Sequence, residues 1–153
     1  TWSQNGLPSG MTFDTATGTI GGAPGPGTAG AYSVGFTVTD SNLVSSATVT
    51  LPLTVNPPPT ISSVQADLDA VGAASESGGY AGFTPAASGG TGTLTWNVAG
   101  LPGGMSFSTS TGAISGTPAA GTSASSPYAI TFTVTDSYGV QGAPVVLSLT
   151  VIL

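Results

Sequence analysis

The chain has 153 residues, 39% of them hydrophobic and 4% charged, with a net charge of −6 and no lysine, arginine, histidine or cysteine. Without cysteine there are no disulfides or thiolate zinc sites, and without basic residues nothing neutralises phosphates, so nucleic-acid binding and attraction to anionic lipid are excluded. No histidine or lysine is available as the base that a nucleophilic serine needs.

In chain order, the sequence opens at Thr1-Trp2 with neither a methionine nor a charged leader, which reads as a processed or excised start. Leu7-Pro8-Ser9-Gly10 is a turn, with proline at its second position and glycine at its fourth. Thr17-Gly18 then leads into a short strand centred on Ile20. The clearest strand runs from Tyr32 to Thr39, where Tyr32, Val34, Phe36 and Val38 alternate with small and polar residues. A second alternation joins Ala47, Val49, Leu51, Leu53 and Val55, and Pro52, which has no N–H to donate, places it at a sheet edge. Asn56-Pro57-Pro58-Pro59 reads as an extended, semi-rigid linker.

Beyond the linker, strands are predicted over Ile61 to Ala66, Tyr80 to Ala86 and Thr93 to Val98, with Trp96 anchoring a core. The turn Leu101-Pro102-Gly103-Gly104 and the short strand at Ile114 follow. Tyr128, Ile130, Phe132 and Val134 alternate next, and Val145, Leu147, Leu149, Val151 and Leu153 close the chain. No segment shows a 3.6-residue period, so no helix is predicted; Ala66 to Ala74 excludes one least firmly. No run approaches the ~20 apolar residues needed to span a bilayer.

Most of these elements occur twice. Trp2, Gly6-Leu7-Pro8, Gly10-Met11, Phe13, Thr17-Gly18, Ile20, Gly22, Pro24 and Tyr32 to Ser41 recur as Trp96, Gly100-Leu101-Pro102, Gly104-Met105, Phe107, Thr111-Gly112, Ile114, Gly116, Pro118 and Tyr128 to Ser137. The offset between copies is constant from the tryptophans to the prolines and two residues longer from the tyrosines on. A period of that length marks tandem domains. The predicted organisation is a truncated module over residues 1–56, a proline linker at 57–59 and a complete module over 60–153. Trp2 is the counterpart of Trp96, and nothing ahead of it corresponds to Thr60 through Leu94, so the first module is expected to expose an apolar face and unpaired edges. Two explanations follow: the chain is cut from a longer array, or another subunit donates the missing strands, a contact that propagates into a head-to-tail polymer.

The duplicated run Trp…Leu-Pro-x-Gly-Met-x-Phe…Thr-Gly-x-Ile-x-Gly-x-Pro…Tyr-x-Val/Ile-x-Phe-Thr-Val-Thr-Asp-Ser resembles the immunoglobulin-like repeats of bacterial and archaeal surface proteins, relatives of dystroglycan-type cadherin-like domains. The resemblance covers Trp2 to Val55 and Trp96 to Val151. It implies all-β, Greek-key immunoglobulin-like sandwiches in tandem, on secreted or cell-surface proteins, serving as spacers, stalks, adhesins or filament bodies. The family shares no catalytic residues, so none is carried over. The total absence of basic residues departs from its usual pattern.

Four carboxylates are candidate calcium ligands. Asp40 and Asp136 follow the best strands at module ends, and Asp67-x-Asp69 is the one close pair, with Glu76 nearby. Calcium wants six to eight oxygens, whereas a lone aspartate after a strand more simply caps its own turn and loop carboxylates are simply solvated. A glycosidase pair needs two carboxyls about 5 to 9 Å apart across a cleft, for which the sequence offers no support. Trp2, Trp96, Tyr32 and Tyr128 lie on alternating core faces, while Tyr80 and Tyr138, in glycine-rich loops, are the surface candidates for binding. The expected role is a non-enzymatic extracellular module, self-associating or flanked by further repeats, with no cofactor beyond calcium, no nucleic acid and no membrane insertion. A glycan- or protein-recognition module, or an accessory domain of a secreted glycoside hydrolase, is the alternative.

Overall fold

The computed structural model describes Thr1–Leu153, which divides into two compact units, Thr1–Pro57 and Pro58–Leu153. The first holds β1 (Trp2–Asn5), β2 (Met11–Phe13), β3 (Ile20–Gly22), β4 (Gly30–Val38) and β5 (Val49–Val55). The second holds β6 (Thr60–Ile61), α1 (Gln65–Asp69), β7 (Ala74–Ser75), β8 (Tyr80–Phe83), β9 (Ala87–Ser88) and β10 (Thr95–Ala99). It continues through β11 (Met105–Phe107), β12 (Ile114–Gly116), a 3₁₀ turn (Thr122–Ser125), β13 (Tyr128–Thr135), β14 (Val145–Leu149) and β15 (Val151–Ile152). The fold is all-β and immunoglobulin-like.

The same alternation in both copies gives the same ladders in the same register. In the first unit β4 pairs antiparallel with β1 and β5, setting Trp2 opposite Val38 and Val34 opposite Leu51. In the second, β13 lies between β10 and β14, with Trp96 opposite Val134 and Ile130 opposite Leu147. The hairpin β2–β3 matches β11–β12, with Phe13 opposite Ile20 and Phe107 opposite Ile114. Gly6 and Gly100 fix the exit from the first strand of each copy. Both have a left-handed φ, and a Cβ on either would run into a backbone carbonyl, that of Ser33 or Ala129. Only glycine satisfies both demands.

As the proline implies, β5 is an edge of its sheet, and Pro52 pairs with Ser33 there. One expectation fails at the start of the second unit. The strand predicted over Ile61 to Ala66 is only β6, and Gln65–Asp69 is a helix. Five residues are too few to display a period, and long-range contacts hold this turn. Leu68 is buried, and the Gln65 amide grips the edge of β14: Nε2 donates to the Ser148 carbonyl at 2.8 Å, while Ser148 N–H donates to Oε1 at 2.6 Å. The matched position in β5 is Pro52, which has no N–H to give.

The core lies in the second unit. Ile61, Leu68, Tyr80, Phe83, Trp96, Ile114, Phe132 and Val134 pack in one buried cluster, with the Phe83 and Phe132 rings edge to face at 6.0 Å. Burying such side chains stabilises by about 25 cal/mol per Å² of apolar surface. No helix is long and apolar enough to cross a membrane.

Candidate functional site

The calcium candidates are placed apart, and nowhere do three acidic groups gather. Asp40 Oδ1 accepts the N–H groups of Asn42 and Val44, at 2.8 and 2.9 Å. Asp136 Oδ1 does the same for Tyr138 and Val140, while its Oδ2 accepts Thr91 N–H at 2.9 Å. Both are therefore turn caps of one design. Burial pushes the Asp136 carboxyl up, but the N–H groups of Val140, Thr91 and Tyr138 outweigh it and hold the group below its usual range.

Asp67 and Asp69 lie on α1, not on a strand, so residues two apart do not share a face. Asp67 accepts Val64 N–H at 2.8 Å and Asp69 accepts Gln65 Nε2 at 2.7 Å. Glu76 turns elsewhere, accepting Ser123 N–H at 2.5 Å and Gly121 N–H at 2.8 Å. Chiefly the Ser123 N–H holds its carboxyl below the usual range. The hollow beside Asp67, lined by Ser63, Gly82 and Phe83 among others, holds that single carboxylate.

Of the two surface tyrosines expected, Tyr138 is exposed, but Tyr80 is buried on β8. The strand predicted over Tyr80 to Ala86 forms as β8, which pairs with β12 and sets Tyr80 opposite Gly116. The Tyr80 hydroxyl is buried without a partner, and burial pushes its pKa to about 12.

The feature that stands out is the inner face of the first unit. Trp2 rests on Gly18 as Trp96 rests on Gly112, and Trp2 N–H donates to Thr15 as Trp96 N–H donates to Thr109. Yet Trp2 is 38% exposed and Trp96 6%. Ile20 is 36% exposed against 0% for Ile114, and Val38 is exposed where Val134 is buried. The difference is what covers them. In the second unit β8 pairs with β12 and sets Phe83 opposite Ile114, and Pro85 crowds the same Gly112 that carries the Trp96 ring. In the first unit β3 pairs with β2 alone and its other edge is open. At the rim, Ser137 N–H and Oγ both donate to the Thr91 carbonyl, at 3.2 and 2.6 Å, while the matching Ser41 and Asp40 meet no counterpart of Thr91. The rim contacts, between residues 46 positions apart, carry no local signal.

Solved structures with similar folds include Drosophila N-cadherin EC1-4, 12% identical with a TM-score of 0.44, covering 99% of this chain and 41% of that one. Mouse cadherin-23 EC22-24 is 14% identical with a TM-score of 0.46, covering 99% and 52%. The human desmocollin-1 ectodomain is 12% identical with a TM-score of 0.41, covering 99% and 33%. The chain thus spans about half or less of the length of these structures. No curated protein matches it. The family model described as "Putative Ig domain" matches residues 1–56 and again 58–152, and the chain belongs to that family.

Proposed function

We propose that the chain is a non-enzymatic extracellular structural module, a repeating unit of a cell-surface filament, stalk or adhesin in which strands from a neighbour close the first unit. One observation carries this reading. Trp96, Ile114, Val134 and Leu147, buried in the second unit, recur in the first as Trp2, Ile20, Val38 and Leu51, which are exposed. Large exposed apolar faces on soluble domains mark interaction sites, and an open strand edge is a template for an added strand. Immunoglobulin-like families are generally non-catalytic, and every carboxylate here accepts N–H groups. Low charge favours such a contact, because few ions need desolvation when surfaces meet.

Negative-stain microscopy and sedimentation of the purified chain, alone and with its native surface extract, test the proposal. Ordered fibres containing the chain are the expected result; a monomer that enters no assembly under either condition refutes it. A recognition role draws on one observation, the exposed Tyr138 ring at the module end, and aromatic rings of that kind stack on sugars. Binding on a glycan array that is lost in Tyr138→Ala, without fibres, is the outcome that selects it.

A further inference from the structure

We infer that the Gln65 side chain is a plug: it closes the outer edge of β14 against an added strand, and without it that edge pairs with the same edge of a second copy of this chain. Every contact concerned lies within the second unit, and none depends on the assembly reading. β14 is the last strand of its three-stranded sheet, with β13 on one side. Antiparallel pairing turns the backbone groups of alternate residues to opposite edges. Ser148 is turned outward, since Gln65 takes both its N–H and its carbonyl. A primary amide presents the same carbonyl and N–H as a peptide group, so the Gln65 head occupies the place of one residue of a neighbouring strand. Further along, the Thr150 carbonyl accepts Ala74 N–H at 3.0 Å and the Ile152 carbonyl accepts Glu76 N–H at 3.0 Å, where β7 lies against β15. The plug and β7 together cover this edge from Ser148 to Ile152. A docking strand needs a run of free N–H and carbonyl groups, and that run is broken.

The amide is held in the one orientation that plugs. A carboxylate only accepts, so Asp69 Oδ1 takes the other Nε2 N–H at 2.7 Å and leaves Oε1 to meet Ser148 N–H. The two residues are one turn apart on α1, where side chains at that spacing meet. Leu68, 1% exposed, anchors the turn, and Asp67 caps it by accepting Val64 N–H at 2.8 Å. Asp69 is therefore a positioning residue for the plug. The first unit blocks the same register by another route: the position matched to Ser148 is Pro52, opposite Ser33, which has no N–H. Two unlike devices at one place in a duplicated fold point to a requirement for a blocked edge, and not to the glutamine's own contacts. β14 itself reads Val-Val-Leu-Ser-Leu and carries none of the charges that commonly guard an edge. With the plug gone, nothing on it repels its like, and Val146, 60% exposed, adds apolar surface to an antiparallel, twofold contact of β14 with β14.

Sedimentation velocity of the whole chain over a range of concentrations, for Gln65→Ala, Ser148→Pro and the double variant, tests this against the unsubstituted protein. Gln65→Ala should associate beyond the unsubstituted chain, its mass rising toward roughly twice the starting value. Ser148→Pro and the double variant should not, because their edge lacks the N–H that a second strand needs. Both single variants break the clamp, so association caused by loosening alone appears in each. That outcome overturns the inference, as does a Gln65→Ala chain no more associated than the unsubstituted one. Hydrogen exchange by NMR on the unsubstituted chain adds a measure that needs no folded variant. After correction for intrinsic rates, the Ser148 amide should exchange about tenfold slower than that of Val146, the neighbouring outward position; equal rates overturn the plug. Association is read as a difference from the unsubstituted chain and exchange at Ser148 within one molecule, so the presence or absence of fibres decides the assembly reading and not this one.

Discussion

Truncating matched leucines measures the open face directly. Leu147 is 3% exposed and Leu51, its counterpart, 53%. Leu147→Ala removes a fully packed side chain and leaves a cavity, at a cost of about 2–5 kcal/mol. Leu51→Ala removes a side chain that already has half its surface in water and leaves no closed void. Full burial of a leucine stabilises by about 1.5–3 kcal/mol, so the loss at Leu51 should stay below about 1 kcal/mol. Hydrogen exchange read by mass spectrometry resolves the two units, because each contributes its own peptides. With tenfold per 1.4 kcal/mol, the slowest amides of β13 and β14 should exchange at least about thirtyfold faster in Leu147→Ala. Those of β4 and β5 should change by less than about fivefold in Leu51→Ala. Equal effects in the two units would mean that Leu51 is covered in solution and the face is not open.

Three further outcomes follow from local geometry. Leu43 holds a left-handed φ of 65° where the second copy has Gly139 at 80°, so Leu43→Gly should stabilise the first unit by up to about 1 kcal/mol, seen as slower exchange in β4; destabilisation would show that the exposed leucine is packed. Gly100→Ala would put a Cβ 2.1 Å from the Ala129 carbonyl at a positive φ, costing about 3 kcal/mol or more and lowering the melting midpoint of the second unit by at least about 10 °C. Glu76 titrates below its ordinary 4.5 in the folded chain, so its hold on Gly121 and Ser123 is complete above that value and lost as pH falls through the lowered one. After correction for intrinsic rates, exchange at those two amides should rise on acidification in the native chain but show no such step in Glu76→Gln.

The elements legible in the sequence were those whose information is local or duplicated. Tyr32 to Thr39 and Tyr128 to Thr135 declare themselves by alternation, and they form β4 and β13 nearly to the residue. That Trp2 and Trp96 head matching strands was legible from the duplicated motif. What escaped was held by distant partners. Nothing near Gln65 shows that its amide will meet Ser148, 83 positions away, and without that contact a five-residue helix has no reason to form. Tyr80 was legible as the start of a strand, but its burial required β12 beside it. Of the carboxylates, Asp40 and Asp136 were legible as turn caps, whereas the Thr91 contact of Asp136 required the fold.

All six acidic side chains accept N–H groups, five of them from the backbone: Asp14 from Ala16, Asp40 from Asn42, Asp67 from Val64, Glu76 from Ser123 and Asp136 from Val140. In a chain without cations no carboxylate finds an ion pair, so the negative charges are used to close turns, where an N–H donor to an ionised acceptor makes a stronger hydrogen bond than one to a neutral oxygen. The same absence governs the surface. An open apolar face bordered by lysine or arginine would attract any acidic polymer, whereas this one, on a chain of net charge −6, repels acidic partners.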